Sequence, residues 1–118
     1  VPVVSDSENS AWTAIDALRG EIDEIDRRLL EMLNERARRV VEIGRIKHAS
    51  GLALYQPDRE RKVFETVEAA NPGPLSGRAI RRLFERILDE SRSVERHVME
   101  PSAGGPLPAP DSTKGGER

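Results

Sequence analysis

The sequence predicts an all-α protein with three helices per protomer, one long, one short and one of medium length, assembled as an intertwined helical homodimer. Three observations carry that expectation. Aromatic residues make up 3% of the 118 residues while apolar residues reach 36%, so the core must come from Leu, Ile, Val and Ala, which favours helices over a β-sandwich. Ile15, Leu18, Ile22, Ile25, Leu29 and Met32 recur at spacings of three and four, the stripe of a helix that buries one seam. The helix they imply, running from about residue 13 to Ser50, is roughly 55 Å long, longer than a compact domain of this mass is wide. Its seam therefore needs a second copy of the chain to cover it.

Taken in order, residues 1–12 have no periodicity and are expected to form a flexible arm, with Trp12 docking on the first turn of the helix. Thr13 followed by Asp16 resembles a helix start, and Gly51 supplies a left-handed stop. Gly44 sits inside the helix, where glycine costs about 1 kcal/mol against alanine. Close approach of another helix, close approach of a ligand, and a tolerated imperfection all fit it. Pro57 suits the first turn of a second helix, which turns Val63, Phe64 and Val67 inward until Asn71-Pro72-Gly73-Pro74 ends it. Ser76 is a candidate cap for a third helix, in which Ile80, Phe84, Ile87, Ser91, Val94 and Val98 repeat the four-three rhythm. Residues 13–100 thus form one helical domain. Residues 101–118 are rich in Pro, Gly and Ser and read as a disordered tail or linker.

Composition narrows the chemistry. With 19 basic against 21 acidic residues and a net charge of −2, no unbalanced basic arm points to nucleic acid. The chain has no cysteine and two histidines, so thiolate nucleophiles, disulfides and Cys- or His-based metal sites are not expected. No cofactor is expected either. No apolar run is long enough to span a membrane, and a cytoplasmic setting is the default.

Continued forward, the long helix's stripe reaches Arg36, Val40, Ile43 and Lys47, so two cations occupy positions where apolar residues belong. A cation there is costly unless an anion meets it. The eleven residues between the two make three turns and return them to one side about 16 Å apart. Arg59 and Glu60 lie one turn before Val63 and Phe64, and Ser91 and Glu95 are neighbours on the third helix. Arg19 flanks the seam roughly 25 Å of helix from Arg36, so in an antiparallel dimer it could serve the partner's site. Each residue also has an ordinary explanation. Arg36 and Lys47 can snorkel, Arg59 and Glu60 belong to the charged run DRERK, Ser91 can bond back to its own helix, and Glu95 can be a surface glutamate near Arg92 and Arg96. Together, however, cations break the stripe of one helix and polar groups that of another, which suits a small anionic ligand.

The segments LRGEIDEIDRRLLEMLNERARRVVEIGRIK, YQPDRER and LFERILDESRSVE resemble the all-helical class of chorismate mutases over about residues 14–97. The resemblance implies an isomerase that converts chorismate to prephenate in phenylalanine and tyrosine biosynthesis. It implies that Arg19 of one protomer and Arg36 of the other hold the two carboxylates, and that Lys47 touches a carboxylate and the ether oxygen. It further implies that Arg59 supports the cationic wall, Glu60 accepts from the ring hydroxyl, Ser91 lies beside a carboxylate and Glu95 faces the ether oxygen. Gln56 stands where some relatives carry Asp, beside the substrate hydroxyl, and an amide can still donate and accept there. Glu95 stands where many relatives carry Gln, and a carboxyl donates only when protonated.

The implied reaction, an intramolecular [3,3] rearrangement, requires no nucleophile, metal or redox partner. It is helped by holding the dianion in its compact chair-like form and by placing a cation and a donor at the ether oxygen as charge develops there. Lys47, Glu95 and Arg36 are the residues expected to carry it. Two other readings stay open: a non-catalytic helical dimerisation module, and a regulatory or docking domain associated with an aromatic-pathway enzyme. A lyase acting on isochorismate shares the fold, although the paired Arg59 and Glu60 favour the mutases.

Overall fold

The computed structural model describes residues 5–99, and the expected 101–118 tail lies outside them. Among the described residues the chain forms α1 (Asp6–Ser50), α2 (Pro57–Ala70) and α3 (Gly77–Met99), as the periodicity predicts. None of these helices is long and apolar enough to cross a membrane. They fall into two units, one ending at Arg36 and the other beginning at Ala37.

The start of α1 corrects the sequence expectation. Residues 6–12, expected as part of a loose arm, are helical. Ser5, rather than Thr13, accepts a hydrogen bond through its hydroxyl oxygen from the Glu8 backbone N–H at 3.1 Å. Asp6 and Glu8 in the first turn meet the positive end of the helix. Thr13 donates its hydroxyl to the Asn9 carbonyl at 2.9 Å, which satisfies it inside the helix. The far end behaves as expected. Gly51 takes φ +67°, and the Leu52 N–H returns to the Lys47 carbonyl at 2.9 Å, closing a Schellman-type cap.

In the first unit Ile15 is half-buried, while Leu18, Ile22, Ile25, Leu29 and Met32 are 50% to 63% exposed within one chain. The stripe is therefore present but uncovered. Exposed pairs such as Arg27–Glu24 join neighbouring turns, each worth a few tenths of a kcal/mol.

The second unit is the packed one. Pro57 opens α2 after Gln56, whose carbonyl accepts from the N–H groups of Arg59 and Glu60 at 3.1 and 3.2 Å. Beyond Ala70 the Asn71 side chain donates to the Leu75 carbonyl at 2.7 Å and accepts from the Gly73 N–H at 3.1 Å, so one amide shapes the turn. Ser76 then caps α3 by accepting from the Ala79 N–H at 3.0 Å. Val40, Val63 and Leu88 are buried. Phe64, Val67, Ile80, Phe84, Ile87, Val94 and Val98 are half-buried around them, which matches the inward faces read from the sequence. Arg81 of α3 joins the two shorter helices by pairing with Glu68 at 2.8 Å and by lying over the Phe64 ring at 4.2 Å.

Gly44 is a point where α1 and α3 approach closely. A Cβ placed there would lie 3.3 Å from Val98 Cβ and 3.4 Å from its Cγ1. Of the three explanations open for this glycine, a neighbouring helix is the one observed. A larger side chain must push α3 outward, so Gly44→Leu is expected to destabilise the fold by about 1–3 kcal/mol, visible as a lower midpoint in thermal unfolding.

Candidate active site

Lys47 lies in the last turn of α1 and is only 7% exposed. Its position on the helical stripe forces the aliphatic stem inward, so the ammonium must find partners inside the protein. It finds two. Nζ donates to Glu95 Oε1 of α3 at 2.9 Å and to the Leu54 carbonyl at 2.9 Å. The Glu95 side chain is itself only 14% exposed. An ammonium carries three donors, and these bonds use two of them.

The structure thus brings Lys47 and Glu95, both singled out from the sequence, into contact, and neither is the snorkelling or surface residue of the ordinary explanation. The Leu54 carbonyl is an addition that the sequence does not signal. A backbone acceptor in a loop leaves no side-chain signature, and only the folded path of residues 51–56 brings it under the lysine.

Glu60, in the first turn of α2, is half-buried. Its Oε2 accepts from Nη1 of Arg92 of α3 at 2.5 Å. Arg92 also pairs with Asp89, one turn earlier on its own helix. Hydrogen bonding to Glu60 is the main influence holding the Arg92 guanidinium above its ordinary range. Burial opposes this, and the charges of Glu60, Asp89 and Tyr55 add to it. From sequence, Arg92 reads only as a neighbour of Glu95. The one signal is the Asp89–Arg92 spacing of three, which cannot reveal a partner on another helix.

Ser91 is half-buried and donates its hydroxyl to the Ile87 carbonyl at 2.9 Å, the self-bonded arrangement weighed from sequence. Gln56 and Arg59, at the entrance to α2, are exposed, and the Gln56 side chain makes no capping hydrogen bond. In the first unit, Arg36 is half-buried. Arg19 is exposed, 3.6 Å from Asp16 and with its guanidinium 5.7 Å from the centre of the Trp12 ring. That contact gives Trp12, expected to dock on the first turn, a specific partner on α1.

Among the described residues the arrangement offers cations and two paired, largely covered carboxylates, Glu95 and Glu60, a set suited to holding and polarising an anion. Comparison with known proteins points the same way. The family described as chorismate mutase type II matches residues 18–96. The bifunctional chorismate mutase/prephenate dehydratase of Neisseria gonorrhoeae is 40% identical over 78 residues, which are 66% of this chain and 21% of that protein. The T-protein of Haemophilus influenzae is 34% identical over 88 residues, 73% of this chain and 23% of that protein. The chain therefore spans less than a quarter of the length of these relatives. Chorismate mutase from Thermus thermophilus, in its form II structure, is 42% identical with a TM-score of 0.69, covering 70% of this chain and 94% of that one. Its form I structure is 44% identical with a TM-score of 0.65, covering 66% and 98%. By family match, fold and identity together, this chain belongs to the type II chorismate mutases.

Proposed function

We propose that the chain rearranges chorismate to prephenate as an isomerase, by electrostatic preorganisation and without covalent catalysis. The observation that carries this is the buried Lys47 ammonium, held at 2.9 Å by both Glu95 and the Leu54 carbonyl. A cation fixed in advance stabilises charge that appears only as the C–O bond breaks, with no reorganisation at that moment. Arg36 and Arg19 bind the two carboxylates, and Lys47 meets the ether oxygen with its remaining N–H. Arg59 adds to the cationic wall, Ser91 lies by a carboxylate, and Gln56 and Glu60 address the ring hydroxyl. Folding the dianion into its compact form removes conformational freedom before the reaction.

The proposal includes a homodimer in which Arg19 acts on the partner's site. Its support is the uncovered row Leu18, Ile22, Ile25, Leu29 and Met32, a seam with the spacing for helix pairing. The names of several relatives join chorismate mutase to prephenate dehydratase, so a prephenate-consuming enzyme is the partner that fits a chain of this kind. The same apolar row would also serve a dimerisation module without activity. In the module reading the Lys47–Glu95 pair is an interhelical salt bridge alone, and turnover of a Lys47 variant separates the two.

Lys47→Ala is expected to lower kcat/KM for chorismate by about 10²–10³-fold, followed as loss of chorismate absorbance. A variant that melts earlier yet turns over like an active wild type would leave Lys47 a structural residue, and a wild-type chain without turnover would establish the module reading instead. Glu95→Gln keeps a donor at this position at any pH and is expected to retain turnover, whereas Glu95→Ala is expected to lower kcat/KM by about 10²-fold. Wild-type kcat/KM in Glu95→Ala would remove Glu95 as the required donor. Mixing inactive Arg19→Ala and Lys47→Ala chains is expected to restore about a quarter of wild-type activity, because half the dimers then carry one intact site. No recovery after subunit exchange would place Arg19 in its own protomer's site or in none.

A further inference from the structure

A carboxylate in the wall of a site for a dianion repels its ligand unless its charge is compensated. Glu60 is such a carboxylate in the proposed reading, 20% exposed in its side chain. The compensation comes from another helix. Arg92 of α3, 34% exposed, donates Nη1 to Glu60 Oε2 at 2.5 Å while Nη2 engages Asp89. Held by carboxylates from two helices, the planar guanidinium has little rotational freedom. Because the bond uses Oε2, Glu60 Oε1 is the atom left to face a hydroxyl.

We infer that Arg92 is a positioning residue that fixes the Glu60 rotamer and cancels its charge, so that Glu60 can accept a hydrogen bond from a hydroxylated dianion without repelling it. This rests on the chorismate reading above. Arg92 touches Glu60 and not the substrate, and its effect belongs to ground-state binding and substrate selection more than to bond breaking. The guanidinium stays charged at every working pH, since its hydrogen bond to Glu60 holds it above its ordinary range. The compensation is therefore permanent.

A double-mutant cycle tests it, with Arg92→Met, Arg92→Lys, Glu60→Gln and the combined variants assayed on chorismate beside thermal unfolding. Arg92→Met is expected to raise KM about tenfold with a smaller change in kcat. The same change in a Glu60→Gln background is expected to cost less than about threefold, because a neutral amide has no charge to cancel. Arg92→Lys restores charge without the two-carboxylate geometry and is expected to recover part of KM. If Arg92→Met does not fold, Arg92→Lys in the two backgrounds supplies the same comparison. A wild-type KM in folded Arg92 variants, or an equal cost in both backgrounds, overturns the inference and shows a clamp between α2 and α3 alone. A wild-type chain without turnover overturns this inference and the chorismate reading together.

Discussion

The structure of the second unit depends on one charge in the wrong place. Lys47 sits where the stripe of α1 calls for an apolar residue, and burial of its ammonium would be prohibitive alone. Glu95 and the Leu54 carbonyl make it tolerable, and in doing so they tie α3 and the α1–α2 loop to the end of α1. Gly44, one turn earlier, lets α3 come close enough for that bond, since Val98 occupies the space a side chain would need. Packing and electrostatics meet on the same two helices. A buried pair of this kind contributes little net stability on its own. What it fixes is the direction of a positive charge.

Much of this is legible in the sequence because it follows from helical geometry. The four-three rhythm of α3 names its half-buried face, with Leu88 added by the structure. Ser76, Gly51 and Pro57 act at helix ends in the ways their chemistry allows. The two cations on α1 stand out because they interrupt a pattern, and Lys47 is buried. The failures share a cause. Ser5 competes with Thr13 as the helix start, and both spacings satisfy the capping rule, so only the observed bond to Glu8 decides between them. The partners of Lys47 and Arg92 lie 48 and 32 residues away on other helices. Spacing along one helix cannot report them, and for the Leu54 carbonyl no side chain exists to read.

The two units differ in how they meet water. Around Val40, Val63 and Leu88 the chain closes over its own apolar groups. Along Leu18 to Met32 it does not, although the amphipathic pattern there is as regular. A helix with such a face draws most of its stability from whatever packs on it, and its short-range ion pairs are too weak to substitute. The stretch that matches the chorismate mutase family includes the uncovered face, since the match begins at Leu18.

The bond from Lys47 to Leu54 turns a connecting segment into a spacer of set length. Surface loops ordinarily accept an inserted residue at small entropic cost. Here an extra residue between Gly51 and Leu54 would carry the carbonyl away from the ammonium, and a deletion would pull on the helix cap that Leu52 closes. The segment is therefore a poor place for a graft, a tag or a cleavage site, however exposed Leu52 and Tyr55 are. Anyone redesigning this chain should treat those few residues as part of the lysine.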